Sequence, residues 1–149
     1  QMLICEAHVL SSLSKRWINA TQESGRFSNY NWEKSIDVNV STLDEQIIKY
    51  GIPDFIKIDV EGYELEVLKG LSKEITCIVF EFTSEEIEQT FKCIDYLNSL
   101  GNCLFRVSFG EEHKFTRPWK SCIDFKGELH NDCINKSNCW GDIFVKSKN

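Results

Sequence analysis

The sequence has little proline, with two residues, and its eight glycines never pair within a short turn after a strand. A glycine-rich loop of the kind that cradles a dinucleotide or a phosphate is therefore not encoded. Nor is there an apolar run near the ~20 residues that a bilayer span needs. The longest, Ile75 to Phe82, is strand-sized and contains Glu81. Basic charge is not in excess: 17 Lys and Arg stand against 23 Asp and Glu, a net charge of -6. That balance excludes nucleic-acid binding through a broad basic surface. Gln1 to Leu10 hold Glu6 and His8 and lack a basic leader, so no signal peptide is read there. Because Gln1 is not an initiator methionine, the true start is expected upstream. The seven cysteines are an odd number without a C-x-x-C pair. Cys5, Cys77, Cys93 and Cys103 fall in predicted strands or a helix, where cysteine acts as a small apolar residue. The reading is a reduced, cytoplasmic chain, with the Asn-x-Ser/Thr triplets at Asn19, Asn39 and Asn135 as chance matches.

What is present is the composition of a folded globular protein, 42% hydrophobic and 27% charged. Its 149 residues suffice for one domain. Residues 1–41 read as an irregular opening segment, with a possible strand over Met2 to Val9 and a polar loop from Ser11 past Trp17 to Trp32. Ile36, Val38 and Val40 alternate with polar residues as a half-buried strand does. Residues 42–149 read as an α/β core. Thr42 and Glu45 form a capping box, Leu43, Ile47 and Ile48 make an apolar stripe, and Gly51 and Pro53 end the helix. Strands are predicted at Phe55 to Val60, Thr76 to Phe82, Cys103 to Phe109 and Asp142 to Lys146. Helices are predicted at Glu64 to Leu71 and, behind a Thr83–Glu86 capping box, from Ile87 to Leu100, where Gly101 stops it. Alternating strands and helices imply a mostly parallel sheet. A long loop separates the last two strands, which are expected to pair antiparallel at the sheet edge.

The chemistry concentrates in Phe55-Ile-Lys-Ile-Asp-Val-Glu-Gly-Tyr-Glu64. Alternation puts Lys57, Asp59 and Glu61 on one side of a strand. Unpaired charges are costly to bury, so three on one face imply pairing or work. Gly62 permits a tight exit. Ligands in open parallel sheets sit beyond the carboxyl ends of strands, where Asp59, Glu61 and Glu81 all fall. Lys57 and Asp59 can equally be a plain ion pair, and Glu64 suits the first turn of the next helix through its dipole.

The ordered set Val40-Ser-Thr-Leu-Asp44, Phe55 to Glu64, Val67-Leu-Lys-Gly70 and Ile78-Val-Phe-Glu81 closely resembles FkbM-type methyltransferases. Trp140-Gly-Asp-Ile-Phe144 looks like the family's closing strand, and Ser11 to Ser14 resembles a segment before its central motif. The resemblance implies a partial, Rossmann-like fold that uses S-adenosylmethionine. It implies methyl transfer to a hydroxyl of a sugar, glycan or secondary metabolite. Lys57, Asp59 and Glu61 would be the central motif, with Asp59 or Glu61 as general base, Lys57 tuning the carboxylates and Glu81 close by. The glycine-rich cofactor turn and ribose-holding acid of the family are missing, so cofactor-binding residues are expected upstream of Gln1.

Two other functions compete. One is a hydrolase using a divalent metal held by Asp59, Glu61 and Glu81. The other is a non-catalytic remnant that docks onto another chain. Cys122, His130, Cys133 and Cys139 offer zinc-type ligands in the final loop, but their spacing lacks a paired knuckle, and no metal site is read there. Trp17, Trp32, Trp119 and Trp140 are either packing anchors or walls of an acceptor pocket. His8 and His113 have nothing to orient them and take no role.

Overall fold

The chain opens with a short strand, β1 (Met2–Ile4), which pairs antiparallel with β2 (Lys34–Ile36) in a two-stranded ribbon. Between them lies a helix, α1 (Lys15–Glu23), where a polar loop is expected. Ser14 caps it by accepting the Trp17 amide, and buried Thr21 donates its hydroxyl to the Trp17 carbonyl. Its residues are mostly polar, which hides the helix from apolar periodicity, yet Trp17 and Ile18 are buried. With Cys5 and Leu10 they form a small second core against Phe27 and Trp32. The opening segment is thus an ordered layer. The expected strand through Val40 stops at Ile36, because no layer covers it and Ile36 and Val40 are exposed. Likewise the strand expected to Val9 ends at Ile4 and gives way to a single 3-10 turn at His8–Leu10.

A computed structural model supplies these coordinates and describes residues 1–111, 114–134 and 138–148. His113 and the Asn135 triplet therefore lie outside the described residues. The core elements are α2 (Leu43–Tyr50), β3 (Ile56–Ile58), α3 (Glu64–Lys69), β4 (Cys77–Thr83), α4 (Ile87–Leu100), β5 (Cys103–Phe109), α5 (Cys122–Ile134) and β6 (Trp140–Ser147). Both halves of the Thr42–Glu45 capping box are made, and Gly51 adopts a φ of 94° at the end of α2. The Thr83–Glu86 box is not made. A 3-10 turn intervenes, and the Glu86 carboxylate instead accepts two hydrogen bonds from Arg16, at 2.6 and 2.8 Å.

The sheet is four-stranded, in the order β3-β4-β6-β5. β3 and β4 pair parallel, whereas β6 runs antiparallel to both its neighbours. The expectation of a mostly parallel sheet is corrected to a mixed one. β3, β4 and β5 do share a direction, as crossovers through α3 and α4 require, but the reverse-running β6 fills the slot between β4 and β5. The last two strands pair antiparallel as expected, with β5 rather than β6 at the edge. The long loop between them contains α5, whose pattern is faint: only Phe125 and Leu129 are buried, and Gly127 lies mid-helix.

Register divides the sheet's two faces. The cross-strand rows Ile56–Ile78–Val145–Phe105 and Ile58–Phe80–Ile143–Val107 join one core with Leu68, Ile94, Leu97 and Leu129 of the helices. The opposite face carries Lys57–Val79–Phe144–Arg106 and Glu81–Asp142–Ser108. Asp59 follows just beyond the end of β3.

Candidate active site

The exit of β3 is a strained turn held from outside. Glu61 has φ 49° and Gly62 φ 86°, two successive left-handed residues. For a residue with a Cβ this conformation costs roughly 1–2 kcal/mol. Buried Ser12 fixes it by donating its hydroxyl to the Glu61 carbonyl at 2.6 Å. Trp17 packs so closely on Gly62 that a Cβ there would overlap its side chain. The Glu64 carboxylate reaches back and accepts the Gly62 amide at 3.1 Å. Glu64 therefore stands in the first turn of α3, where the helix dipole favours it, and also ties down the turn.

This turn brings together three of the expected residues. Carboxylate oxygens of Asp59, Glu61 and Glu81 all lie within 4.8 Å of one another. Burial, then the charges of Glu81 and Asp59, push the Glu61 carboxyl up to about 8. Burial, then the charges of Asp59 and Glu64, push Glu81 up to about 7. Near neutral pH the two therefore hold protons that ordinary glutamates would have lost. The fourth residue, Lys57, sits to one side. Its ammonium is 2.6 Å from Asp142 and 3.6 Å from Asp59. These partners raise its pKa against the opposing effect of burial. Asp59 is the most exposed member of the set, with 55% of its side chain open.

Above the cluster lies a cleft of about 320 Å³ in which Glu61 and Glu81 face Trp17, Phe27 and Trp140. Arg26 flanks it and is neutralised by Glu85 at 2.7 Å. The arrangement offers aromatic faces for a ring and desolvated carboxylates that can accept or donate a proton. The three carboxylates also form an oxygen set of the sort that hard divalent cations prefer. The one glycine at a strand exit beside the carboxylates, Gly62, has its open side filled by Trp17.

The four zinc-type residues are not brought together as a set, although Cys133 and Cys139 meet. Cys122 and Cys133 lie at opposite ends of α5, about 16 Å apart along its axis. His130 leans against Phe91. Among the described residues, Asp59, Glu61 and Glu81 are the group able to hold a metal. Trp32 and Trp119 stand outside the cleft: Trp32 donates to the Leu10 carbonyl, and Trp119 stacks with Arg106 and Lys146.

Sequence reasoning missed Asp142, the nearest partner of Lys57. Its signal was present, because the alternation of Asp142 with the apolar Ile143 and Val145 places it on the face opposite the core. Ser12 as a clamp on the turn had no local signal.

The family model for the methyltransferase FkbM domain matches residues 5–115. The chain belongs to the FkbM methyltransferase family. No match to a curated protein or to a solved structure is found. The FkbM match takes in the α1 layer, the Glu61–Gly62 turn, β4 and β5, and ends before α5 and β6. Within it stand Lys57, Asp59, Glu61 and Glu81, whereas Trp140 and Asp142 join the cluster by geometry alone. Membership supports a methyltransferase in general, a class that takes its methyl group from a donor molecule.

Proposed function

We propose that this chain supplies the acceptor side of an O-methyltransferase of Rossmann-like fold, with S-adenosylmethionine as donor. The acceptor is a hydroxyl on a sugar, glycan or secondary metabolite. The observation that carries the reading is the pair Glu61 and Glu81, desolvated side by side in an aromatic cleft, in a chain of the FkbM family. The donor, when bound, supplies an activated methyl group.

Glu61 is the general base in this reading. In its ionised form, which is reached near and above about pH 8, its raised pKa makes it a stronger proton acceptor than Glu81, and its strained turn fixes its aim. Glu81 shares the proton that Glu61 takes up. Asp59 lies 3.6 Å from the Lys57 ammonium, and Asp142 holds that lysine in place. Trp140 and Trp17 bear on the acceptor ring, so that much of the rate comes from positioning. The protein should transfer labelled methyl from S-adenosylmethionine to a panel of glycans and polyols. Glu61→Gln should lower transfer about a hundredfold or more. Retention of activity within about tenfold, roughly 1.4 kcal/mol of barrier, refutes the assignment of the base.

A second reading, a divalent-metal hydrolase, is favoured by one observation, the 4.8 Å convergence of three carboxylates. It requires hydrolysis that depends on magnesium or manganese and proceeds without S-adenosylmethionine.

A further inference from the structure

The carboxylate cleft makes no use of the thiols, and two of these stand apart from the rest. Cys5, Cys93 and Cys103 are buried among apolar residues, Cys77 is half-buried at the start of β4, and Cys122 lies against Asp95. Cys133, in the last turn of α5, and Cys139, immediately before β6, have their Sγ atoms 3.1 Å apart. That is about 1 Å beyond the ~2.05 Å of a bonded pair. Cys139 is buried and held by the sheet, while Cys133 is half-buried and reachable from outside.

We propose that Cys133 and Cys139 are a disulfide modification site, closed by oxidants of the glutathione disulfide class. The Cys133 thiolate attacks one sulfur of the oxidant, breaking its S–S bond and releasing one glutathione. The Cys139 thiolate then attacks Cys133 Sγ in the mixed disulfide and releases the second. One Sγ–Sγ bond forms, one S–S bond breaks, and the two thiol protons leave on two glutathione molecules. The closed loop is short, so the constraint it places on the unfolded chain is smaller than that of a long-loop bridge. Its effect is local. The Cys139 carbonyl accepts the Ser84 amide at 2.7 Å, and Trp140 next to it lines the cleft. The bridge therefore ties the end of α5 to the backbone that carries Trp140. This site stands whether or not the chain transfers methyl groups.

The test is a thiol count after equilibration in a series of glutathione buffers that runs from fully reduced to fully oxidised glutathione. The protein is then denatured and alkylated without reduction. In the oxidising buffers two of the seven cysteines should escape alkylation. Trypsin cuts after Lys136, so peptides 127–136 and 137–146 should travel as one species that a reductant splits. Cys139→Ser should abolish that species and leave Cys133 joined to glutathione instead. Alkylation of all seven cysteines in every buffer overturns the proposal, as does a bridge from Cys133 to any cysteine other than Cys139. The mapping uses the unaltered chain, so poor folding of the variant leaves the result decisive.

Discussion

Glu61 carries a backbone in an unfavourable region and a carboxylate that burial and two like charges keep protonated. Both tensions have measurable consequences. A carboxyl whose folded pKa lies above its unfolded value binds more protons folded than unfolded between the two. Stability therefore falls as pH rises through that window. With Glu61 at about 8 and Glu81 at about 7, the melting temperature should decline from about pH 5 to pH 8 and level off above it. Glu61→Gln should flatten that slope, and an unchanged slope in a calorimetric series means that the desolvation is not real. Gly62→Ala adds a left-handed penalty and an overlap with Trp17, so it should cost about 2 kcal/mol or more in urea unfolding. Asp142→Asn removes the closest partner of Lys57. Transfer should fall in that variant while the fold persists, and a large loss of stability instead makes Asp142 structural.

At the scale of elements, local chemistry was legible wherever a cap and an apolar stripe agreed. The α2 box and its glycine stop are written in Thr42, Glu45 and Gly51, and they form as read. Strands β4 and β5 were legible from their length and β-branched or aromatic content. The helices α1 and α5 were not, because each buries only a few residues of a mostly polar face. Strand direction was deducible from the crossovers, but the insertion of β6 between β4 and β5 depends on tertiary pairing that no local pattern encodes. Asp59, Glu61 and Glu81 could be placed at one end of the sheet by alternation, whereas Ser12 and Trp17 reach the turn through a layer whose order was not visible. That layer can be probed through its anchor: Trp17→Ala should cost roughly 3–5 kcal/mol, read by urea unfolding. A smaller loss means that the α1 layer contributes little to the fold.

Across the whole molecule, β3 has a partner on one side only among the described strands. Exposed Ile48, Tyr50, Ile52 and Phe55 belong to the stretch that leads into it. A short unpaired strand next to apolar residues is a template for pairing with other chains. The isolated chain should therefore associate as its concentration rises, and Phe55→Lys should reduce the light scattered. Equal scattering from both proteins removes this edge as the cause.

The cleft also has a history in time. The clamp on the turn joins residues 49 apart in sequence, the Arg16–Glu86 pair joins residues 70 apart, and Lys57 meets Asp142 across 85. Contacts so distant along the chain close late, after their loops have lost most of their freedom. Until β6 has been synthesised and has slid between β4 and β5, Lys57 lacks its nearest counter-ion and the cleft lacks its Trp140 wall. A ribosome-bound chain thus has all three carboxylates of the cluster before the cleft has its Trp140 wall.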